Sequence, residues 1–256
     1  MQKIDSLADA EMEALKILAP ELHLHGKLNM RAFDLIGAVV NRLPELRIHE
    51  IPLSKRIAIS LLVQLSNDLR ASSLLALRGY SVQAVTIVSS MFESAYCIAA
   101  IASDPELAQK WVNHDTPTRP FLAVKTMIEK GLKNLGQQSV EKQLEIEYRV
   151  YRQLCMAKHS NPLFQMEHGF TIDDGDVVAM NGPSVSENTI RAAWFAMEHA
   201  TALAFIALFS FFRHHMSQKD NEDIFQEILF IGEERKQLEA EAQKRWGTED
   251  PFPGKW

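Results

Sequence analysis

Cysteine, glycine and proline are all scarce in this sequence. Its 256 residues include 2 cysteines, 11 glycines and 10 prolines. Two cysteines exclude a disulfide-stapled scaffold and a four-cysteine zinc site, and so few turn-forming residues argue against an all-β protein with many tight turns. Positive charge is not in excess either. The formal net charge is -6, so any contact with nucleic acid must come from a local basic site.

The sequence also lacks a long uncharged segment of the kind that spans a membrane. The apolar run at 200–212 is shorter than the roughly 20 residues that a transmembrane helix needs. It is bounded by Glu198, His199 and Arg213. The N-terminus shows no apolar segment of the kind found in a signal peptide. These features predict a buried core helix, a cytoplasmic location and no association with a membrane.

Almost every segment spaces its apolar residues as an amphipathic helix does. Proline, glycine and short polar side chains divide these segments, because they end or begin helices. Pro20 is expected to end the first helix, Ser54, Ser81 and Asp104 are candidate N-caps, and Gly79 marks a tight turn. Helices are therefore predicted at about 5–19, 28–43, 55–78, 82–103, 105–114, 120–135, 139–160, 185–215 and 219–246. The helix predicted at 185–215 begins with a predicted capping box, Ser184-Val185-Ser186-Glu187.

One segment, near 165–182, breaks the helical pattern. Two β-prone stretches, 170–172 and 177–179, flank the acidic turn at 173–176, which predicts a small hairpin or an ordered loop. The aspartates lack the spacing and the closing glutamate of an EF-hand, so the pattern favours a solvated turn over a calcium site. The predicted fold class is all-α, a single helical bundle over residues 1–256.

Two histidines, His23 and His25, fall in the segment predicted to link the first two helices. Their His-x-His spacing resembles a pair of metal ligands, but no third ligand stands nearby. Di-iron bundles place Glu three residues before His, and none of the nine histidines has this spacing. Motifs of zinc proteases, phosphate-binding loops and α/β-hydrolases are absent as well. The sequence predicts neither a metal site nor a cofactor.

The helix predicted at 139–160 carries the spacing that suggests chemistry. Arg152 and His159 are seven residues apart, so they share one face and lie about 10.5 Å apart along the axis. Arginine offers a fixed fork of donors to a phosphate, and histidine can take or give a proton near neutral pH. Helix ends also carry basic residues for dipole reasons alone. The spacing leaves both a phosphate site and a structural role open.

Other side chains are expected close to this pair. They are Tyr148 one turn earlier, Gln153 directly after the arginine, and Lys158 and Asn161 on either side of the histidine. The neighbouring tyrosines Tyr148 and Tyr151 could stack on bases. Cys155 lies between the arginine and the histidine, and the sequence favours a small buried hydrophobe over a reactive thiol there.

Glu93 stands among apolar residues of the helix at 82–103 and is expected to be partly buried. A buried carboxylate must either neutralise or find a cation. One interpretation is a structural contact with Arg70, Arg78 or a tyrosine. The other is a role in the site, with the carboxylate orienting Arg152 or His159.

The arginine and histidine, late in a helical chain, resemble the Arg-x(4–6)-His signature of the HEPN superfamily (higher eukaryotes and prokaryotes nucleotide-binding). The order of the Gly79 turn, Glu93 and Asp104-Pro105-Glu106 before Arg152-x6-His159 is similar to that of an uncharacterised bacterial HEPN-like branch. The resemblance covers about residues 55–215. It implies a HEPN-like core of four to five helices there, with N-terminal helices at 1–50 and a C-terminal helix and tail at 216–256.

The resemblance also implies an activity. Active HEPN members cleave RNA without a metal, and motifs from two protomers meet at a dimer interface. By this resemblance Arg152 and His159 are the catalytic residues of a homodimeric ribonuclease of toxin or phage-defence type. RNA or a nucleotide is its expected ligand, and an antitoxin or defence protein is a candidate partner. The supporting residues are Glu93, Tyr148, Gln153, Lys158 and Asn161.

A second class of function stays open beside the ribonuclease. Catalytic HEPN members often carry Asn, Asp or His directly after the arginine, and this chain has Gln153 there. The alternative is a non-catalytic helical module that binds a phosphate, a nucleotide or a protein through the same residues. A helical regulator without a phosphate site is a third interpretation.

Overall fold

The computed structural model describes residues 6–43, 48–116, 121–159, 170–173, 176–179 and 182–247. Within these ranges it is an all-α bundle, which confirms the predicted fold class. The helices are α1 (Leu7–Glu21), α2 (His23–Asn41), α3 (Leu53–Leu77), α4 (Ser81–Ile101), α5 (Pro105–Val112), α6 (Val124–Asn134), α7 (Val140–Lys158), α8 (Glu187–His215) and α9 (Glu222–Trp246). Two 3-10 turns, Ile48–Glu50 and Gln218–Asp220, precede α3 and α9.

A two-stranded antiparallel hairpin lies between α7 and α8. Strands β1 (Phe170–Asp173) and β2 (Asp176–Ala179) pair with Phe170 opposite Ala179 and Asp173 opposite Asp176. The hairpin predicted near 165–182 is therefore confirmed. The turn residues 174 and 175 lie outside the described residues.

Helices α4 and α8 form the centre of the bundle and pack more extensively against each other than any other pair in the described chain. Helix α3 contacts both of them, α6 and α7 cover α4, and α9 covers α8. Both central helices are long and apolar enough to cross a membrane by length and composition. Of their most apolar windows, however, 78% in α4 and 67% in α8 is buried inside the bundle. A helix that is apolar on all sides is equally expected at the core of a large helical protein.

The turn between α3 and α4 is closed by Gly79, as predicted. Its φ of +85° lies in the left-handed region, and the N–H of Tyr80 donates to the Leu75 carbonyl at 2.9 Å while the N–H of Gly79 donates to Ala76. This is a Schellman motif. A Cβ on Gly79 would stand 2.9 Å from Pro183, so the turn also packs against the segment that leads into α8.

Two of the predicted N-caps are wrong. Ser54 is the second residue of α3, which begins after Pro52 without a side-chain cap. Pro52 occupies the N-cap position instead, and the N–H of Arg56 donates to its carbonyl at 3.0 Å. Ser81 is the first residue of α4, whose N-cap is Tyr80, because the Schellman turn leads directly into the helix.

The predicted N-cap of α5 is confirmed, and that of α8 is wrong. Asp104 accepts a backbone N–H of the first turn of α5, as predicted. Helix α8 is capped by Ser186, which accepts the N–H of Thr189 at 3.3 Å, and not by Ser184. The N–H of Ser184 donates instead to the Gly79 carbonyl at 3.0 Å, which holds that residue outside the helix.

The predicted linker after Pro20 is also wrong. Helix α1 continues through Pro20 to Glu21, and α2 starts two residues later at His23. A proline in the last turn removes one hydrogen-bond donor, and the helix can tolerate this near its end. Leu22 still donates its N–H to Leu18 at 2.9 Å, so the chain turns from one helix into the next without a loop.

His23 and His25 therefore lie on a helix and not on a linker. His25 is 1% exposed and packs on the Trp194 ring with centroids 4.4 Å apart. Burial, together with the charge of His23, lowers the pKa of His25 to about 4. His23 is exposed. Two residues apart on a helix, the side chains point in different directions, so they do not form a ligand pair.

Candidate functional site

Arg152 and His159 are exposed on the last two turns of α7. The helix ends at Lys158, and His159 is its C-cap, with its backbone N–H donating to the Cys155 carbonyl at 2.9 Å. Most of the residues between the pair are buried, namely Gln153, Leu154, Met156 and Ala157. The helix thus holds one arginine and one histidine outward from a well-packed base.

Glu93 connects α4 to the end of α7. Its carboxylate accepts hydrogen bonds from Lys158 Nζ at 3.2 Å and from the Tyr151 hydroxyl at 3.4 Å. The side chain is 44% exposed, in line with the expected partial burial. Contact with a tyrosine agrees with the structural interpretation. The predicted arginine partners lie elsewhere, because Arg70 contacts α2 and Arg78 contacts α1.

The two tyrosines of α7 are engaged by protein neighbours. Tyr148 and Tyr151 stack with centroids 6.3 Å apart. Lys125 places its ammonium 4.5 Å from the centre of the Tyr148 ring, and Tyr151 packs against Phe92 at 5.2 Å. These contacts make the two tyrosines part of the packing around α7. A nucleobase that stacks on Tyr148 has to displace Lys125 or contact only the edge of the tyrosine ring.

Cys155 is half-buried beside this cluster. Burial raises the pKa of its thiol, and the Tyr151 hydroxyl and the Lys158 charge only partly offset this. A thiol with a raised pKa is mostly protonated at neutral pH and is a poor nucleophile. The preference for a small hydrophobe at this position agrees with this environment.

The structure does not bring Gln153 to the arginine and the histidine. Its side chain is 5% exposed and lines a cavity between α7, α8 and α9. Asn161, which was predicted to flank His159, lies outside the described residues. The predicted residues that do come together are therefore Glu93 and Lys158, with Tyr148 and the motif pair on the same stretch of α7.

Two adjoining cavities open on the other side of α7. They measure about 380 and 590 Å³ and share wall residues from three helices. The shared residues are Ile146, Val150, Glu198, His199 and Glu239. We call the larger cavity the acidic lobe, because Glu147, Glu198 and Glu239 line it, together with Arg235 and His199.

Glu198 is a strongly perturbed carboxyl group of the acidic lobe. Burial, and then the negative charge of Glu239, raise its pKa to about 7, and Arg235 offsets only part of this effect. Arg235 itself pairs with Glu239 at 3.8 Å. Glu198 makes no hydrogen bond or ion pair with any described residue. Near neutral pH this carboxyl is therefore divided between its charged and uncharged forms.

His199 lies beside Glu198 and is neutral at pH 7. Its Nδ1 is 2.9 Å from the Phe195 carbonyl, so this nitrogen carries the proton and donates it. Burial lowers the pKa of the ring, and the ring packs on Phe195 with centroids 4.1 Å apart. The histidine therefore adds no positive charge to balance the carboxylates.

Tyr96 on α4 closes the inner end of the acidic lobe. It is fully buried, and its hydroxyl lies beside the Glu147 carboxylate without forming a well-aligned hydrogen bond with any described residue. Burial, followed by the nearby Glu147 carboxylate, raises the pKa of this phenol well above its usual value. A buried hydroxyl without a well-aligned hydrogen bond is costly, and such groups deserve a functional explanation when they line a cavity.

The sequence did contain one signal for this second region. Glu198 and His199 interrupt the apolar sequence of α8, but in the sequence alone they mark only the boundary of an apolar run. Glu147, Arg235 and Glu239 carry no such signal. They lie among polar and charged residues of α7 and α9, and only the packing of three helices brings them to the same cavity.

Among the residues that the structure describes, no group of three or more His, Cys, Asp or Glu side chains is placed to hold a metal ion. No protein-family model, curated protein or solved structure matches this chain significantly.

Proposed function

We propose that this protein is a HEPN-like endoribonuclease of toxin or phage-defence type that works without a metal through Arg152 and His159. The observation that supports the proposal is the outward position of this pair on α7, next to buried residues of the same two turns. A phosphate must reach both side chains, and a rigid, well-packed helix can present them without reordering.

The reaction is an attack of the ribose 2′-hydroxyl on the adjacent phosphorus. A new P–O2′ bond forms, the P–O5′ bond breaks, and a 2′,3′-cyclic phosphate and a 5′-hydroxyl result. His159 moves protons, taking one from the 2′-oxygen or giving one to the 5′-oxygen. Arg152 holds the phosphate and offsets the charge that grows on it in the transition state. The nucleophile is internal to the substrate, so positioning supplies a large part of the acceleration.

A homodimer is part of this proposal. If a two-fold axis passes near the end of α7, two Arg152/His159 pairs face each other across an isologous contact, and one histidine can act as the base while the other acts as the acid. Sedimentation at micromolar concentration measures the oligomeric state. A protein that cleaves RNA as a clean monomer removes the dimer from the proposal.

The test incubates the purified full chain with total RNA in EDTA and maps the new RNA ends. Wild type should give 2′,3′-cyclic phosphates, and DNA should stay intact because it lacks the 2′-hydroxyl. His159→Ala should abolish turnover. Arg152→Lys should lose much of it, since lysine lacks the bidentate fork. Controls of the same chemistry at exposed positions outside α7, His49→Ala and Arg70→Lys, should keep full activity.

Folding has to be checked in the same experiment. His159 is exposed and uses only its backbone N–H in the helix cap, so His159→Ala should keep the melting temperature of the wild type. A collapsed melt assigns the histidine a structural role. Cleavage that is equal in wild type and His159→Ala contradicts the proposed mechanism.

Non-catalytic phosphate or nucleotide binding is the second candidate. It is favoured by the contact between Lys158 and Glu93 at 3.2 Å, because this pair ties two helices together instead of standing ready for proton transfer. Labelled RNA that binds wild type and His159→Ala equally, is released by Arg152→Ala and is never cut, would support this candidate over the ribonuclease.

A further inference from the structure

We infer that the acidic lobe between α7, α8 and α9 binds a small organic cation, an amine carried on an apolar body. This site is separate from the one proposed above, because it lies on the opposite side of α7 from Arg152 and His159. The inference rests on three observations: an uncompensated set of carboxylates, an apolar wall beside them, and a buried hydroxyl without a well-aligned hydrogen bond.

The charges of the lobe do not balance. Three carboxyl groups line it, from Glu147 on α7, Glu198 on α8 and Glu239 on α9. The cation among them, Arg235, pairs with Glu239 at 3.8 Å, and His199 is neutral at pH 7. This leaves Glu198 without a hydrogen bond or ion pair among the described residues. A bound ammonium would supply the missing positive charge, and attraction between opposite charges is strong in a half-buried site.

The rest of the lobe suits an apolar body. Beyond the carboxylates its wall is formed by the apolar side chains Leu132, Leu135, Leu203, Phe205, Ile206, Phe209 and Leu229. Its volume of about 590 Å³ lies within the range of about 300–1,000 Å³ that is typical of small-molecule sites. Burying an apolar group here would remove both the ligand and this wall from water, which is favourable.

The Tyr96 hydroxyl is an independent indication of a ligand. It is fully buried, lines the lobe and lies beside the Glu147 carboxylate without forming a well-aligned hydrogen bond with any described residue. A ligand N–H could donate to this oxygen while its charge faces Glu147 and Glu198. A ligand that donates to this oxygen supplies a well-aligned hydrogen bond that the folded chain does not, which favours binding.

Charge complementarity also excludes the opposite type of ligand. A carboxylate or phosphate placed in the lobe would face three acidic side chains, and its charge would be repelled. A neutral apolar molecule could enter, but it would leave Glu198 and Tyr96 as they are. The site therefore distinguishes amines from acids of the same shape, and this difference can be measured.

The test uses three probes of one shape with different charges: 4-phenylbutylamine, 4-phenylbutanol and 4-phenylbutanoate. Isothermal titration calorimetry with the full chain at pH 8 should give at least tenfold tighter binding for the amine than for the alcohol, and no binding for the acid. Glu198→Gln should reduce amine affinity to that of the alcohol. The matched control Glu241→Gln, an exposed position on α9, should leave all three affinities unchanged.

A pH series separates charge recognition from simple burial of the phenyl ring. The amine stays protonated from pH 6 to pH 8, while Glu198 goes from mostly protonated to mostly ionised, so amine affinity should rise about tenfold over this interval. The other charged or titratable groups that face Glu198 are Tyr96 and His199, Glu147 and Glu239, Arg235, and, from the adjoining cavity, Arg149 and Arg191.

Three outcomes would overturn the inference. They are equal affinity for the amine and the alcohol, unchanged amine binding in Glu198→Gln, and no binding of any probe at millimolar concentration. RNA cleavage does not enter this test. The ribonuclease proposal and the amine site can therefore each fail without the other.

Discussion

Glu93 and Glu198 occupy comparable positions in the two central helices, yet their surroundings differ. Glu93 is the single carboxylate of α4, and Glu198 is the single carboxylate of α8 beyond its first residue, Glu187. Glu93 on α4 accepts hydrogen bonds from Lys158 and Tyr151 and is 44% exposed. Glu198 on α8 has no such partner among the described residues, and its pKa is raised to about 7.

The difference shows what a partner does for a carboxylate in a helical core. A cation on a neighbouring helix, Lys158, pairs with Glu93 and joins α4 to α7. Without such a cation, Glu198 titrates in the physiological range, and such perturbed groups are often found in functional sites. The ion pair of Glu93 thus joins two helices beside the candidate active site, while Glu198 lies in the cavity for which we infer an amine ligand.

The largest expected effect concerns Glu198 and pH. Its pKa is raised from 4.5 to about 7 in the folded protein, so the folded state holds the proton more tightly than the unfolded state. Stability is then full below pH 4.5 and is lost as pH rises through 7. Between pH 5 and pH 8 the loss should be about 2–3 kcal/mol. Glu198→Gln should not show this loss, as urea unfolding at both pH values would measure.

The matched control for this measurement is again Glu241→Gln, which should follow the wild-type pH dependence. If Glu198→Gln and the wild type lose the same stability between pH 5 and pH 8, Glu198 is solvated like a surface carboxylate. The contrast with Glu93 would then disappear.

A second prediction concerns a variant in which Glu198 gains a cationic partner, as Glu93 has in Lys158. Ala202 lies one helical turn after Glu198 and lines the same cavity, and a Glu–Lys pair at this spacing is favourable. Ala202→Lys should therefore lower the pKa of Glu198 and reduce its pH-dependent loss of stability by about 1–2 kcal/mol. Carboxyl NMR titration would report the pKa directly. Ala202→Met, of similar length but uncharged, should leave the pKa raised.

A third prediction concerns the ion pair between Glu93 and Lys158. Glu93→Gln should cost at most about 1 kcal/mol, because the ion pair with Lys158 is partly exposed, and the cost should shrink at high salt. A double-mutant cycle with Lys158→Met isolates the coupling. Zero coupling at low salt would mean that the two side chains are neighbours without a stabilising contact.

The smallest effects are expected for two tyrosines, and they should have opposite signs. Tyr151→Phe removes a hydrogen bond to Glu93 and should cost about 0.5–1 kcal/mol. Tyr96→Phe removes a buried hydroxyl without a well-aligned hydrogen bond in the described chain, so stability should stay equal or rise by a few tenths of a kcal/mol. Thermal or urea unfolding compares them. A clear loss in Tyr96→Phe would show that its hydroxyl is hydrogen-bonded.

Local patterns predicted the fold well because helices depend on neighbours in the sequence. The apolar period of 3.6 residues identified all nine described helices, and Gly79 located the turn between α3 and α4. Errors arose where a local signal had two outcomes. Pro20 can end a helix or sit in its last turn, and Ser81 can cap a helix or begin one. The choice between them depends on packing that the sequence does not display.

The candidate site was predictable to the same limited extent. Helical spacing placed Arg152 and His159 on one exposed stretch of α7, and the expectation of a tyrosine partner for Glu93 agrees with the structure. Helical spacing does not predict that Gln153 lines the cavity beside α8. It does not predict the acidic lobe either, because the environment of Glu198 depends on Glu239, which is forty-one positions away and belongs to a different helix.

The packing of α4 on α8 has a consequence for the newly made chain. Ile101 ends α4 and Glu187 begins α8, so 86 positions separate the two halves of the central interface. At a synthesis rate of about 5–20 residues per second, α4 leaves the ribosome roughly 5–20 s before its main partner exists. During this interval α3, and later α5, α6 and α7, are the helices that contact α4 and can shield its apolar surface. The tight Gly79 turn allows α3 to pack on α4 as soon as both have been made.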